Sequence, residues 1–380
     1  VKVIGGWIAA EPTQRVCAAL TGAGFRALFV GGCVRNALLG VPVADIDIAS
    51  DAAPGEVTRL AERAGLKVVP TGIDHGTVTV IAEGIAHEVT TFRRDVETDG
   101  RRAVVAFSAR IEDDAARRDF TMNALYATPE GQVIDPLGGL PDLLVRRVRF
   151  VGDAEARIRE DYLRILRFFR FHAIYGDPEG GLDPEGLAAC AAHSAGLETL
   201  SAERIGAEMR KLLSAADPAP AVAAMAMAGV LGHVLPGADP RGLAPLVHLE
   251  AGRAPHWPRR LLVLGGEDVT DRWRLSRADS RAMERLRAAL GDMSAPAELG
   301  YRLGAEQAAD VMLARAALFA TPLPEGWQAE IARGAAAVFP VRPADLMPAL
   351  QGAALGARLK ELEAAWIASG LRASRAELLG

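Results

Sequence analysis

The sequence predicts an α/β domain followed by an all-α region. Up to about residue 150, strand-like apolar runs alternate with helical patterns. Beyond it, apolar residues recur at helical spacing without strand-like alternation. From about residue 215, alanine-rich segments are divided by Pro and Gly clusters, as short antiparallel helices would be. The expected divisions are 1–148, 149–215 and 216–380.

A chain of 380 residues, half of them apolar, can bury more than one core. The net charge of −5 does not mark the whole chain as a nucleic-acid binder, so any RNA contact must use a local basic surface. Arginine abundance follows codon bias as readily as phosphate recognition. Cys17, Cys33 and Cys190 are scattered and odd in number, which fits a reducing compartment and neither a disulfide framework nor a zinc site. With no apolar stretch long enough to span a bilayer and no signal-peptide pattern, no membrane association and a cytoplasmic location are expected. A monomer or weak dimer is expected, and no fixed-period repeat or His-Asp phosphohydrolase signature stands out.

In chain order, residues 11–24 read as a helix, with Pro12 near its start and Val16, Ala19 and Leu20 on one face. An apolar run, Ala27 to Val30, then ends in Gly31 and Gly32. Glycines there let the backbone approach a ligand closely, and the helix that follows, with Arg35 in its first turn, offers N–H groups to an anion. In Asp45-Ile46-Asp47-Ile48, strand alternation projects both carboxylates from one face and both isoleucines into the core. Like charges that close favour a cation between them, and hard oxygens suit Mg²⁺. An ordinary strand-to-helix turn would serve packing alone, but a phosphate cradle followed by a carboxylate pair reads as a nucleotide site.

Residues 54–65 read as a helix, and 67–69, 78–81 and 86–92 as strands. Glu88 either adds a third carboxylate to the metal pair or is simply solvated. His75 either touches the nucleotide or holds its own turn. The charged stretch 93–116 suggests a loop or hairpin. In Arg117 to Tyr126, Asp119 either starts a helix or, with Arg118 on phosphate, contacts a ribose. Residues 154–171 read as one amphipathic helix, with Ile158, Tyr162, Ile165, Leu166 and Phe169 on one face. Residues 202–213 form another.

The Gly-Gly turn ahead of an Asp-x-Asp strand resembles the nucleotidyltransferase superfamily of DNA polymerase β. The longer series, namely 31–36, Asp45 to Asp47, Arg117 to Ala124, Glu160 to Arg164 and Glu203 to Glu208, resembles the class II tRNA nucleotidyltransferases. These are the CCA-adding enzymes, with the bacterial poly(A) polymerases as close relatives. The resemblance covers roughly residues 28–213. It implies a polymerase-β-like head, a neck that reads the incoming base, and a helical body and tail that hold tRNA.

It further implies that Asp45 and Asp47 are catalytic and, with Glu88, hold Mg²⁺. CTP and ATP would be bound by Gly31, Gly32, Arg35, Arg118, Asp119, Asn123, Asp161 and Arg164, with Glu160, Glu203, Arg204 and Glu208 in support. Asp161 and Arg164, i and i+3 on the expected helix, would accept from an exocyclic amino group and donate to a ring nitrogen. C and A present that order; U and G present the reverse. An intrahelical salt bridge is the ordinary alternative. The stretch 93–116 is a further candidate for switching base choice. One departure is visible: Asn36 stands where the family usually has Asp after Val-Arg.

Overall fold

The computed structural model describes residues 1–73, 76–99 and 102–380. Asp74, His75, Gly100 and Arg101 lie outside the described residues. The chain divides into two compact units, one of residues 1–212 and 220–234, the other of 213–219 and 235–380. The expected head and most of the expected neck therefore share one unit. Among the described residues no helix is long and apolar enough to cross a membrane.

In the first unit, helices α1 (Gly6–Ala9) and α2 (Glu11–Thr21) precede strand β1 (Leu28–Val30). Helix α3 (Gly32–Leu38), strand β2 (Ile46–Ser50) and helix α4 (Pro54–Arg63) follow. Next come β3 (Lys67–Gly72), β4 (Thr77–Ala82) and β5 (Ile85–Thr91), then the hairpin β6 (Arg93–Asp99) and β7 (Arg102–Phe107). After α5 (Ile111–Ala116), β8 (Tyr126–Ala127) and β9 (Val133–Ile134) complete a seven-stranded sheet of order β3-β4-β5-β2-β1-β8-β9. β2 and β5 are parallel and the other neighbours antiparallel. The core lies on the side of Ile46, Ile48 and Val89, which are buried, as is His87, which meets the Thr13 hydroxyl of α2 at 3.0 Å.

Helices α6 (Leu140–Leu144), α7 (Ala154–Glu160), α8 (Leu163–Tyr175), α9 (Pro184–Ala192), α10 (Ala202–Leu213), α11 (Ala219–Met227) and α12 (Val230–Val234) follow. Two expectations are corrected here. The helix expected over 154–171 is broken at Asp161 and Tyr162, where Asp161 is extended (φ −156°, ψ 105°). Asp161 accepts from the Leu163 N–H at 3.1 Å, which favours starting a new helix there. Asp119 does not start a helix either. It lies between α5 and a short 3₁₀ turn, Thr121–Asn123, where Phe120 bridges to Phe150. An aromatic cluster ties this segment to α8: Phe120 lies 5.0 Å from both Phe150 and Phe171, and Phe150 stacks on Phe168 at 5.4 Å.

The second unit is helical: α13 (Leu243–Glu250), α14 (Trp257–Leu264), α15 (Val269–Arg272), α16 (Arg277–Gly291), α17 (Pro296–Leu303), α18 (Ala305–Phe319), α19 (Trp327–Ala336), α20 (Gly352–Ala368) and α21 (Arg375–Leu379). Its core holds a paired ionic cluster, with Glu250 accepting from Arg259 at 2.8 Å and Arg260 at 2.7 Å, and Asp310 accepting from Arg259 at 2.9 Å. Arg260 also donates to the carbonyls of Leu213, Ala215 and Ala216. Helices α17 and α19 meet backbone to backbone. A Cβ at Gly334 would sit 1.8 Å from the Ala297 carbonyl oxygen. Gly334→Ala must therefore force the helices apart and should destabilise the protein by about 1–3 kcal/mol, read as a lower midpoint in urea.

Candidate active site

Four elements converge on the open face of the sheet. β1 delivers Gly31, whose φ of +68° favours a residue without a Cβ. Any Cβ there would also lie 3.2 Å from Nη1 of Arg118. Asp45 precedes β2, and Asp47 lies within it, opposite Glu88 of β5 in register. The alternation expected from the sequence is observed, because Ile46 and Ile48 are 8% and 0% exposed while Asp45 and Glu88 are exposed and Asp47 is half-buried.

Neighbouring acids act on one another across this face. Burial, helped by Glu88 and Asp45, pushes the Asp47 carboxyl up to about 6, while Arg118 pulls the other way. Among the described residues, no three His, Cys, Asp or Glu side chains close into a ready ligand cage, so Asp45, Asp47 and Glu88 do not form one by themselves. Hard carboxylate oxygens open to solvent fit Mg²⁺, which retains waters and fills its shell with substrate phosphates. Arg118 is fixed by its other nitrogens, which donate to Asp114 at 2.9 Å and to the Tyr126 hydroxyl at 3.2 Å. Its guanidinium thus lies beside Gly31 and within the field of Asp47.

Beneath the face runs a chain of buried hydrogen bonds. Arg35 is 6% exposed and donates to Asn36 (Nε 3.1 Å, Nη2 2.9 Å), to the Tyr175 hydroxyl at 2.8 Å and to Oδ1 of Asn123. Asn123 donates to Asp119 at 2.8 Å, and Asp119 also accepts from the Phe120 N–H and from Arg167 of α8 (Nε 2.8 Å, Nη2 2.5 Å). Arg35, Asn123 and Asp119 were expected to contact nucleotide. In the structure they join the glycine-turn helix to the neck helix, and Arg35 stacks on the Tyr175 ring at 3.9 Å. Asn36 supplies what Arg35 needs, an acceptor, while its amide donates to the Pro42 carbonyl at 3.0 Å, which a carboxylate could not do.

Asp161 and Arg164 do not pair with each other, so the ordinary intrahelical salt bridge is not formed. Asp161 accepts from Arg204 of α10 at 2.7 Å. Arg164 donates to Glu160 at 2.5 Å and to the Arg157 carbonyl at 2.7 Å. Glu160 also pairs with Arg157 at 2.6 Å, and Arg157 donates to the carbonyls of Arg117 and Arg118, fastening α7 to the segment that carries Arg118. Glu208 accepts from Arg170 at 2.5 Å, and Glu203 stands in the first turn of α10. Reading by motif did not find Arg157, Arg167, Arg170 or Tyr175; all but Arg157 lie on α8, at positions that periodicity assigns only to a face. Burial pushes the Cys17 thiol up to about 12 and the Cys33 thiol up to about 11, which disfavours the reactive thiolate.

Comparison with known proteins agrees with this arrangement. The family described as "Poly A polymerase head domain" matches residues 27–149, and that described as "Probable RNA and SrmB- binding site of polymerase A" matches 181–241. The human mitochondrial CCA tRNA nucleotidyltransferase 1 is 44% identical over 184 residues, 48% of this chain and 42% of that one. The CCA-adding enzyme of Geobacillus kaustophilus is 36% identical over 319 residues, 79% of this chain and 76% of that one. A crystal structure of the Bacillus stearothermophilus CCA-adding enzyme in complex with CTP superposes with a TM-score of 0.76 at 31% identity, covering 94% of this chain and 93% of that one. A mixed-sheet nucleotidyltransferase head followed by helices defines the class. The chain belongs to the CCA-adding enzyme family of class II tRNA nucleotidyltransferases. With several of these relatives the match spans only about half of their length.

The Asp119–Arg167 contact gives a stability prediction. Hydrogen bonds and the Arg167 charge outweigh the cost of burial and hold the Asp119 carboxyl below its ordinary value. Its contribution is therefore full above the unfolded carboxyl pKa and is lost as pH falls through the lower folded value. Asp119→Ala strands the Arg167 guanidinium and should cost roughly 3 kcal/mol at neutral pH. The difference from the unaltered chain should shrink below about pH 4, as followed by urea unfolding across pH.

Proposed function

We propose that this chain adds CCA to the 3′ end of tRNA from CTP and ATP, without a nucleic-acid template and with release of pyrophosphate. The observation that carries the reading is the neck geometry. Asp161, an acceptor, and Arg164, a donor, are each held by a third residue rather than by each other. They are thereby kept as a pair that can meet a base edge.

Asp45 and Asp47 are the residues to hold Mg²⁺, which when bound lowers the pKa of the RNA 3′-hydroxyl and neutralises the triphosphate and the departing pyrophosphate. The remaining work falls to the chain itself. Gly31 and Gly32 let the triphosphate approach the backbone, and Arg118 beside Gly31 supplies a fixed positive charge. Glu88, opposite Asp47, adds to the negative field that draws the cation in. Asp161 accepts from the exocyclic amino group of C or A, and Arg164 donates to the adjacent ring nitrogen. U and G would set acceptor against acceptor, leaving polar groups unpaired at about 1–3 kcal/mol each. Arg35, Asn123, Asp119 and Arg167 fix the head to the neck, so that the base-reading pair and the carboxylates keep their spacing. Glu160, Arg204 and Glu208 brace the neck, with Glu203 beside them. The helices beyond residue 235 are left to hold the body of the tRNA.

Sequencing the products formed with Mg²⁺, CTP and ATP on tRNA ending at the discriminator base tests the reading. Clean CCA is expected. CC alone, A added only to CC-ended tRNA, or a long A tract would replace it with a partial enzyme or a poly(A) polymerase. Asp45→Ala and Asp47→Ala should each abolish incorporation with the thermal melt unchanged, and full activity in both would overturn the carboxylate assignment. Asp161→Ala should lower the preference for CTP over UTP by about tenfold or more, measured as a ratio of kcat/KM.

A further inference from the structure

Asp161 sits in extended backbone between two helices, and Tyr162 beside it is the N-cap of the second. Its ring packs against Gly196, in the 3₁₀ turn Ser194–Thr199. A Cβ on Gly196 would lie 2.1 Å from both Cδ1 and Cε1 of Tyr162. No real contact is that short, so one side must give way.

The turn is the side that cannot. The Gly196 N–H donates to the His193 carbonyl at 3.0 Å, and its own carbonyl accepts from the Thr199 hydroxyl at 2.7 Å. Leu197, next in the turn, is fully buried. Tyr162 is half-buried, so it is the side that yields. Tyr162 is the N-cap of α8, so a displacement that includes its backbone carries the adjoining Asp161 off the line set by its bonds to Leu163 and Arg204.

Building on the functional reading above, we propose that Gly196 is a specificity-determining positioning residue. By leaving bare backbone under the Tyr162 ring, it sets the angle at which Asp161 meets the incoming base. Gly196 touches neither substrate nor metal and acts through Tyr162.

The test uses the full chain, tRNA lacking CCA, and CTP or UTP supplied singly. Gly196→Ala should lower the ratio of kcat/KM for CTP over UTP by about tenfold, with the KM for tRNA unchanged. Tyr162→Ala should lower the ratio as well, and adding Gly196→Ala to it should lower it no further, since the contact is already gone. An unchanged ratio in folded Gly196→Ala overturns the proposal. So does an equal loss in the Tyr162→Ala background. If Gly196→Ala fails to melt cooperatively, Tyr162→Ala decides alone, and an unchanged ratio there overturns it. No incorporation by the unaltered chain overturns the functional reading and this inference together. Incorporation with unaltered base choice overturns only this one.

Discussion

The structure depends above all on the buried hydrogen-bonded chain from Asn36 through Arg35, Asn123 and Asp119 to Arg167. It joins three segments far apart in sequence: the helix after the glycine turn, the strip leading into the 3₁₀ turn, and the neck helix. Two of its members are guanidinium groups and one is a carboxylate. A charge left unpaired in that setting costs more than the bond itself contributes, so each link holds the next in place. The aromatic cluster of Phe120, Phe150, Phe168 and Phe171 lies against the same junction and shields it from water. Head and neck therefore behave as one frame, which agrees with their falling in one compact unit.

Within that frame a buried carboxyl and a half-buried one are displaced in opposite directions. Asp119 is held low because Arg167, Asn123 and a backbone N–H satisfy it. Asp47 is held high because burial and neighbouring acids act on it with too little compensation. The first is a finished structural contact. The second is the group proposed to take a cation, whose arrival with its phosphates would stabilise the charge. The contrast separates scaffold from chemistry more sharply than residue type does, since both are aspartates next to arginine-bearing segments. The same distinction accounts for Asn36. Its neighbour Arg35 asks for an acceptor and the Pro42 carbonyl asks for a donor, so an amide satisfies both where a carboxylate would satisfy one.

Local physics made much of this protein legible in the sequence. Alternation placed Asp45 and Asp47 opposite buried isoleucines, helical spacing placed α2, α4 and α10, and the motif series placed the family. Each of those signals is carried by neighbours in the chain, where backbone geometry alone dictates which side chains share a face. What only the tertiary structure decided is the choice of partners. Periodicity runs smoothly through Asp161 and Tyr162, because a two-residue interruption barely shifts the phase of an apolar stripe, so the helix break was invisible. There Asp161 caps the new helix at the Leu163 N–H, while its carboxylate pairs with Arg204 and the Tyr162 ring packs against Gly196, the last two partners dozens of residues away. Arg35 likewise reads as a phosphate ligand from its place after two glycines. Its burial against Tyr175, 140 residues distant, spends its donors inside the fold, and no local pattern records that.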